Sequence, residues 1–267
     1  MSNYINFFGF EKQPFPQTVK TKNLYHFPFL KQMFNRFEYA VQIGMINIIT
    51  GDVGSGKSTS LRYACSKFHP SKYKMIPVIA NTGSMLELLR QIALAFNVEM
   101  RSNSITFLIK NIRQVVKEIF DKKTVPVLVI DEAHLMREKV FQQLHTILQF
   151  DFNSEKIMPL ILCGQNSLIS KLHFHTSEAL RSRVVGKTKF EGLTSAQTSE
   201  YIKHHLKIAG ITENLYDDNA LLAIHQGSGG TMRKVNNLAR GSLLAATSKK
   251  SRLITGEHVR LASTELF

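Results

Sequence analysis

Residues 51 to 58 read Gly-Asp-Val-Gly-Ser-Gly-Lys-Ser. Gly51, Gly56, Lys57 and Ser58 fit the spacing G-x-x-x-x-G-K-[ST], a pattern that grips phosphate. Glycine lets the backbone curl until several N–H groups face one anion. A helix starting directly after the loop adds its positive end. Lys57 would reach the β- and γ-phosphates of a nucleotide, and Ser58 would hold Mg²⁺. Asp52, Val53, Gly54, Ser55 and Thr59 complete the cradle. A Gly-rich turn with no ligand would need neither the lysine nor the hydroxyl. The second chemical group is Asp131-Glu132-Ala133-His134. Here Asp131 would coordinate Mg²⁺, directly or through water, and Glu132 would polarise an attacking water as general base. Standing alone, an Asp-Glu pair would read as the acidic start of a helix.

Both groups need strands to carry them. Met45 to Thr50 is an apolar run before the loop, and Thr59 to Ala64 reads as helix after it. Val125-Pro126-Val127-Leu128-Val129-Ile130 is short, apolar and rich in β-branched residues, the mark of a strand buried on both faces. Its carboxyl end is where open α/β sheets bind ligands. Further strands are expected at 74–80, 158–165 and, as a short edge, 187–191. Amphipathic helices are expected at 29–43, 84–96, 104–120 and near 138–150. This alternation predicts an α/β fold with a parallel sheet and helices on both faces. Residues 1–28, aromatic and punctuated by Pro14 and Pro16, read as an irregular arm. From Gly192 onward no strand pattern remains. Helices are expected to open at Thr194, at Asp217 or Asp218, at Thr231 and at Thr255, giving a small all-helical domain over 192–267. The α/β domain then covers 29–191.

The chain has 267 residues and 43% hydrophobic content, enough for a real core. Its two cysteines, Cys65 and Cys163, sit in apolar contexts and read as buried free thiols in a reducing compartment. No run approaches the length of a membrane span, and the first residues lack the pattern of a secretory leader, so a cytoplasmic protein without membrane contact is expected. Lys and Arg number 34 against 20 Asp and Glu, a net charge of +14. That exceeds what a triphosphate needs and points to a polyanionic partner, most simply DNA, beside solubility alone. None of the histidines, His173, His175, His204 and His205 included, has metal-ligand spacing backed by Cys or acids, so no zinc is expected.

The ordered motifs resemble an AAA+ ATPase. More closely, the chain resembles the family shared by the ATPase domain of ExeA-type secretion proteins and by transposition regulators such as TniB and TnsC. The resemblance rests on Phe8-Gly9-Phe10 with Pro14-Phe15, on Gly44 to Ser58, on Val129 to His134 and on Leu162-Cys163-Gly164-Gln165. It continues through Leu180 to Val184, Tyr201 to Leu206 with Ala209-Gly210, and Gly229-Gly230-Thr231-Met232-Arg233. It implies a P-loop NTPase domain followed by a helical lid, with ATP and Mg²⁺ as ligands and a ring or helical filament as the homo-oligomer.

The resemblance also implies residue roles. Gln165 would hydrogen-bond the γ-phosphate or the attacking water, where many relatives carry Asn. Arg183, or else Arg181, would cross a subunit boundary as an arginine finger, an effect worth about 10³ to 10⁵ in rate elsewhere; a surface or DNA contact is the alternative. Arg233 would reach the phosphates from the lid, unless it is spent on a surface ion pair. Asn81 would hydrogen-bond Glu132 and restrain it, or simply form a turn. Pro14 and Phe15 would pack near the adenine or in the core. His134 would be a positional feature without catalytic duty. Arg101, Ser102 and Lys110, with Arg137 and Lys139, would face duplex DNA and contact its phosphates, in a sequence-tolerant and salt-sensitive way.

The leading expectation is an ATP-dependent transposition regulator that oligomerises on duplex DNA, recruits or activates a transposase, and uses hydrolysis for disassembly or for target selection, where a target-selection protein could join it. The alternatives are a secretion-type ATPase acting on an envelope assembly, a module using ATP as assembly glue with little turnover, and a substrate kinase. The secretion reading expects a membrane span and a periplasmic region to continue such a chain, and would need them from a partner here.

Overall fold

The computed structural model describes residues 3–99, 102, 104–150 and 157–266. The chain divides into two compact units. One comprises Pro28–Val53 and Lys57–Phe190; the other comprises Met1–Phe27, Gly54–Gly56 and Glu191–Phe267. The helices among the described residues are numbered in chain order. They are α1 (Asn3–Phe8), α2 (Pro28–Gln42), α3 (Lys57–Lys67), α4 (Met85–Ala95), α5 (Ile105–Asp121), α6 (Glu138–Ile147), α7 (Ser167–His173), α8 (Glu178–Arg181), α9 (Ser195–Ile208), α10 (Asp218–Ser228), α11 (Met232–Ser248) and α12 (Gly256–Leu266). The strands are β1 (Ile46–Gly51), β2 (Tyr73–Ile79), β3 (Val125–Asp131), β4 (Leu160–Gly164) and β5 (Val184–Phe190).

The larger unit is built on one five-stranded parallel sheet in the order β2-β3-β4-β1-β5. The β-branched runs form its centre. β1 and β4 are buried along their whole lengths, as strands covered on both faces must be. Ile46, Ile48, Ile76, Val78, Leu128, Ile130, Leu160 and Leu162 join the inward faces of α4, α5 and α6 in one core cluster. The alternate residues Ile49, Val127, Val129 and Ile161 are buried too, and α2 and α3 pack along β1. The expected α/β fold is therefore present, with strand ends within a few residues of those read from the pattern. Two features escaped the pattern, α7 and α8, because seven and four residues show too little periodicity. Cys163 is fully buried and Cys65 half-buried; both are free thiols.

The smaller unit is helical. Thr194 caps α9 as its sequence predicts: the Gln197 N–H donates to Thr194 Oγ1 at 3.3 Å and the Thr194 N–H to Gln197 Oε1 at 3.0 Å. Asp217 caps α10 through the Ala220 N–H at 2.6 Å. The first residues are not wholly irregular. Asn3–Phe8 are helical, a length that holds only through tertiary packing, which Tyr4, Phe8 and Phe10 supply by burial and α11 by contact. Among the described residues no helix is long and apolar enough to cross a membrane.

Phe15 settles into this unit's core. It has a left-handed backbone (φ 53°), is 0% exposed, and stacks its ring 5.4 Å from that of His205. Burial pushes His205 down to about 4, so it packs as a neutral ring. Pro14 is buried as well. Of the two roles open to them, core packing fits this structure, in which both positions are buried. Phe15→Ala is accordingly expected to cost roughly 3–5 kcal/mol of unfolding free energy, read by urea denaturation. Nucleotide affinity of the folded variant should stay within about twofold; a selective loss of affinity would restore the adenine role.

Candidate nucleotide-binding site

Parallel strands present their carboxyl ends together. Thr50 pairs with Gly164, Ile130 with Leu162 and Ile79 with Asp131, so the loops after β1, β3 and β4 leave one edge of the sheet side by side. The loop after β1 turns directly into α3, whose first residue is Lys57. Lys57 is buried, and its Nζ donates to the carbonyl oxygens of Gly51 at 2.8 Å and Asp52 at 2.7 Å. Both acceptors are neutral, so its charge remains for an anion. Ser58 follows on the first turn with an exposed side chain, then Thr59, half-buried.

The middle of the loop, Gly54–Gly56, belongs with the helical unit. Gly54 and Gly56 have φ of +81° and +90°, which side chains tolerate poorly. Space forbids one as well. A Cβ on Gly54 would lie 2.6 Å from Cβ of Arg233, and one on Gly56 would lie 2.8 Å from Sδ of Met232. The Arg233 N–H donates to the Gly54 carbonyl at 3.1 Å, while its side chain stays exposed. The sequence paired Arg233 with this loop; it gave no sign of Met232, whose sulfur closes on Gly56. Ser55 is 4% exposed, and its Oγ is buried without a hydrogen-bond partner. These groups fit a bound phosphate: a buried ammonium on neutral carbonyls, an orphaned hydroxyl, and a backbone curled through two positive-φ glycines.

At the end of β3, which β4 separates from β1, Asp131 accepts the Glu132 N–H at 2.8 Å. Glu132 itself takes a left-handed backbone (φ 54°, ψ 28°), a conformation that costs of order 1–3 kcal/mol in a non-glycine residue. Its carboxylate lies 3.3 Å from His134 Nδ1. Burial, and after it the hydrogen-bonded carboxylate of Asp131, holds the Cys163 thiol well above its ordinary range. Beyond β4, Gln165 is half-buried, and the residue after it makes the contact with the loop: Asn166 Nδ2 donates to Asp52 Oδ1 at 2.8 Å. Sequence reasoning missed Asn166 because its partner, Asp52, lies more than a hundred residues away and meets it only through the register of β1 and β4. Asn166 makes no cap hydrogen bond and commits its amide to the loop instead.

Other candidates lie elsewhere. Asn81 is exposed, and its Oδ1 accepts the Gly83 N–H at 3.0 Å, closing a turn after β2; it does not restrain Glu132 in this structure. Arg183 is half-buried at the amino end of β5, where its carbonyl accepts the Ile46 N–H at 3.0 Å and its guanidinium bonds the Ala179 carbonyl. Six residues of β1 separate that end from Gly51, roughly 17 Å. Arg181, the last residue of α8, is exposed. A cavity of about 250 Å³, lined in part by Met45, Leu148 and Arg183, opens at the amino end too, away from the phosphate loop. Lys110 on α5, Arg137 and Lys139 are exposed, and Ser102 is half-buried with its Oγ accepting the Ser104 N–H at 3.2 Å. Arg101 lies outside the described residues.

Comparison with known proteins bears on the same region. A family model described as "AAA domain" matches residues 44–172. General secretion pathway protein A of Aeromonas hydrophila is 24% identical over 265 residues, covering 98% of this chain and 48% of that protein. The chain thus spans about half the length of the curated relative it matches. Among solved structures, Cdc6p from Pyrobaculum aerophilum superposes with a TM-score of 0.74 at 17% identity, covering 95% of this chain and 70% of that one. The Aeropyrum pernix ORC1 protein, solved in complex with DNA, gives 0.67 at 15% identity, covering 91% and 67%.

Proposed function

We propose that the chain, which matches a model described as an AAA domain over residues 44–172, is a Mg²⁺-dependent ATPase that assembles as a homo-oligomer on duplex DNA and regulates transposition by recruiting or activating a transposase. The observation that carries the ATPase part is the loop at 51–58. Its lysine is buried on neutral carbonyls, and two strands away in the same parallel sheet β3 ends at Asp131, with Glu132 next. In this reading Lys57 and the loop N–H groups grip the β- and γ-phosphates, and Glu132 takes a proton from the attacking water. Mg²⁺, held by Ser58 and Asp131, would neutralise charge on the phosphate oxygens. Gln165, just past the end of β4, would meet the γ-phosphate, and Asn166 would hold the loop through Asp52. Arg183 lies too far along the sheet to reach its own loop, which supports a role in the site of a second copy.

The DNA part rests on the net charge of +14 and on exposed Lys110, Arg137 and Lys139. A second reading, an ATPase serving an envelope secretion assembly, is favoured by the likeness to general secretion pathway protein A along nearly the whole chain. Negative-stain imaging and sedimentation with duplex DNA, with and without a non-hydrolysable ATP analogue, separate the two. Rings or filaments that need both ligands are expected. Absence of DNA association at moderate salt would overturn the transposition reading and leave the secretion one.

A further inference from the structure

His134 is held on three sides without a hydrogen bond for its buried nitrogen. Its side chain is 10% exposed, and Nδ1 is buried and unsatisfied. Lys171 on α7 donates to the carbonyls of His134 and, at 2.7 Å, of Met136, so the backbone around the ring is pinned. Opposite, the end of β4 closes on it. A Cβ on Gly164 would stand 2.9 Å from the His134 amide nitrogen and 3.3 Å from Nδ1. Oε2 of Glu132 lies 3.3 Å from Nδ1, within ion-pair distance, and the two make no hydrogen bond in this structure.

Burial is the largest influence on the ring and holds its pKa below the usual value against the opposing Glu132 carboxylate; Lys171 and Lys57 add to the lowering. A neutral imidazole has one N–H to give, and the tautomer is decided by the acceptor on offer. A carboxylate at Nδ1 selects the Nδ1–H form. Formed as the nucleotide site is occupied, such a hydrogen bond would fix the rotation of a glutamate whose own backbone is left-handed and whose side chain is 43% exposed.

We propose that His134 is the positioning residue for Glu132, its Nδ1–H orienting the carboxylate toward the attacking water and its ring seating that geometry against Gly164 at the end of β4. This gives a duty to a residue that the sequence marked as passive, and it moves the restraint on Glu132 from Asn81 to His134. The inference rests on the ATPase reading and adds which side chain aims the base.

The test uses the full chain as His134→Ala, His134→Gln and the double variant with Glu132→Ala. His134→Ala should lose at least tenfold in kcat, with KM and the affinity for a fluorescent ADP analogue within about twofold. His134→Gln, whose amide can donate in place of Nδ1–H, should recover to within about threefold of wild type. The double variant should turn over no more slowly than Glu132→Ala alone. Independently of turnover, the His134 Nδ1 nitrogen resonance at fixed pH should shift by several ppm in Glu132→Gln. An unchanged kcat in His134→Ala, or an unmoved resonance, overturns the assignment. Wild-type protein that binds but does not hydrolyse ATP would sink the ATPase reading, and the resonance would still decide the contact.

Discussion

Lys57→Ala is expected to lower the affinity for Mg-ATP by at least a hundredfold, to the point where calorimetry detects no heat at micromolar protein. The ammonium is buried and already oriented, so its contribution to a bound triphosphate is charge-assisted and little screened. An ammonium has three N–H donors, two of them on carbonyls here, so one charge-assisted bond of about 1.5–3 kcal/mol together with the little-screened charge attraction gives a factor of roughly 10². Truncation also strands the carbonyls of Gly51 and Asp52, which Lys57 now satisfies at 2.8 and 2.7 Å. The loop should therefore lose order as well as charge. Unchanged tight binding would mean that residues 51–58 do not hold the nucleotide and would leave the neighbouring Asp131-Glu132 without a substrate.

What the sequence made legible follows from how local each signal is. The phosphate loop is contiguous, and its glycines are dictated by backbone geometry, so eight residues carried it. The acidic pair was legible because a β-branched run must end where its burial ends. The four helix starts of the C-terminal part came from caps, and Thr194 and Asp217 make the hydrogen bonds their positions imply. What failed to show depends on partners far along the chain. The short helix at Asn3–Phe8 exists through its packing, which no six-residue window encodes. Met232 earns its place only once Gly56 lies against it. Asn166 and Gln165 are neighbours of similar chemistry, and only the strand register decides that Asn166 meets Asp52. Asn81 was weighed as a restraint or a turn, and the difference lies in where Gly83 falls.

Arg183 is the opposite case, a residue whose proposed role as a finger would make its position a constraint on assembly. A parallel sheet has two ends. The segment between α8 and β5 leaves Arg183 at one, and the loop after β1 leaves Lys57 at the other. No side-chain rotation spans roughly 17 Å. If the arginine serves hydrolysis, two copies must meet head to tail, and a heterologous contact of that kind closes into a ring or continues as a helix. The basic residues at Lys110, Arg137 and Lys139 would then be repeated around or along a shared axis, which turns three weak phosphate contacts into a multivalent surface.

Glu132→Gln separates binding from turnover and therefore tests the chemistry itself. The substitution keeps the length and shape of the side chain and removes its ability to accept a proton. Asp131, the loop and Lys57 are untouched, so affinity for Mg-ATP should stay within about threefold of wild type. Turnover should fall by at least 10²-fold, the lower bound of what a positioned general base contributes. If ATP lies at a subunit boundary, as proposed, assemblies that depend on it should accumulate, and complexes on duplex DNA should outlast those of wild type. A phosphate-release assay and sedimentation on the same samples read the two effects together. Normal hydrolysis in this variant would assign the base elsewhere and would make the left-handed backbone at Glu132 a structural accommodation. Slow hydrolysis without trapped assemblies would keep Glu132 as the base and detach assembly from the nucleotide cycle.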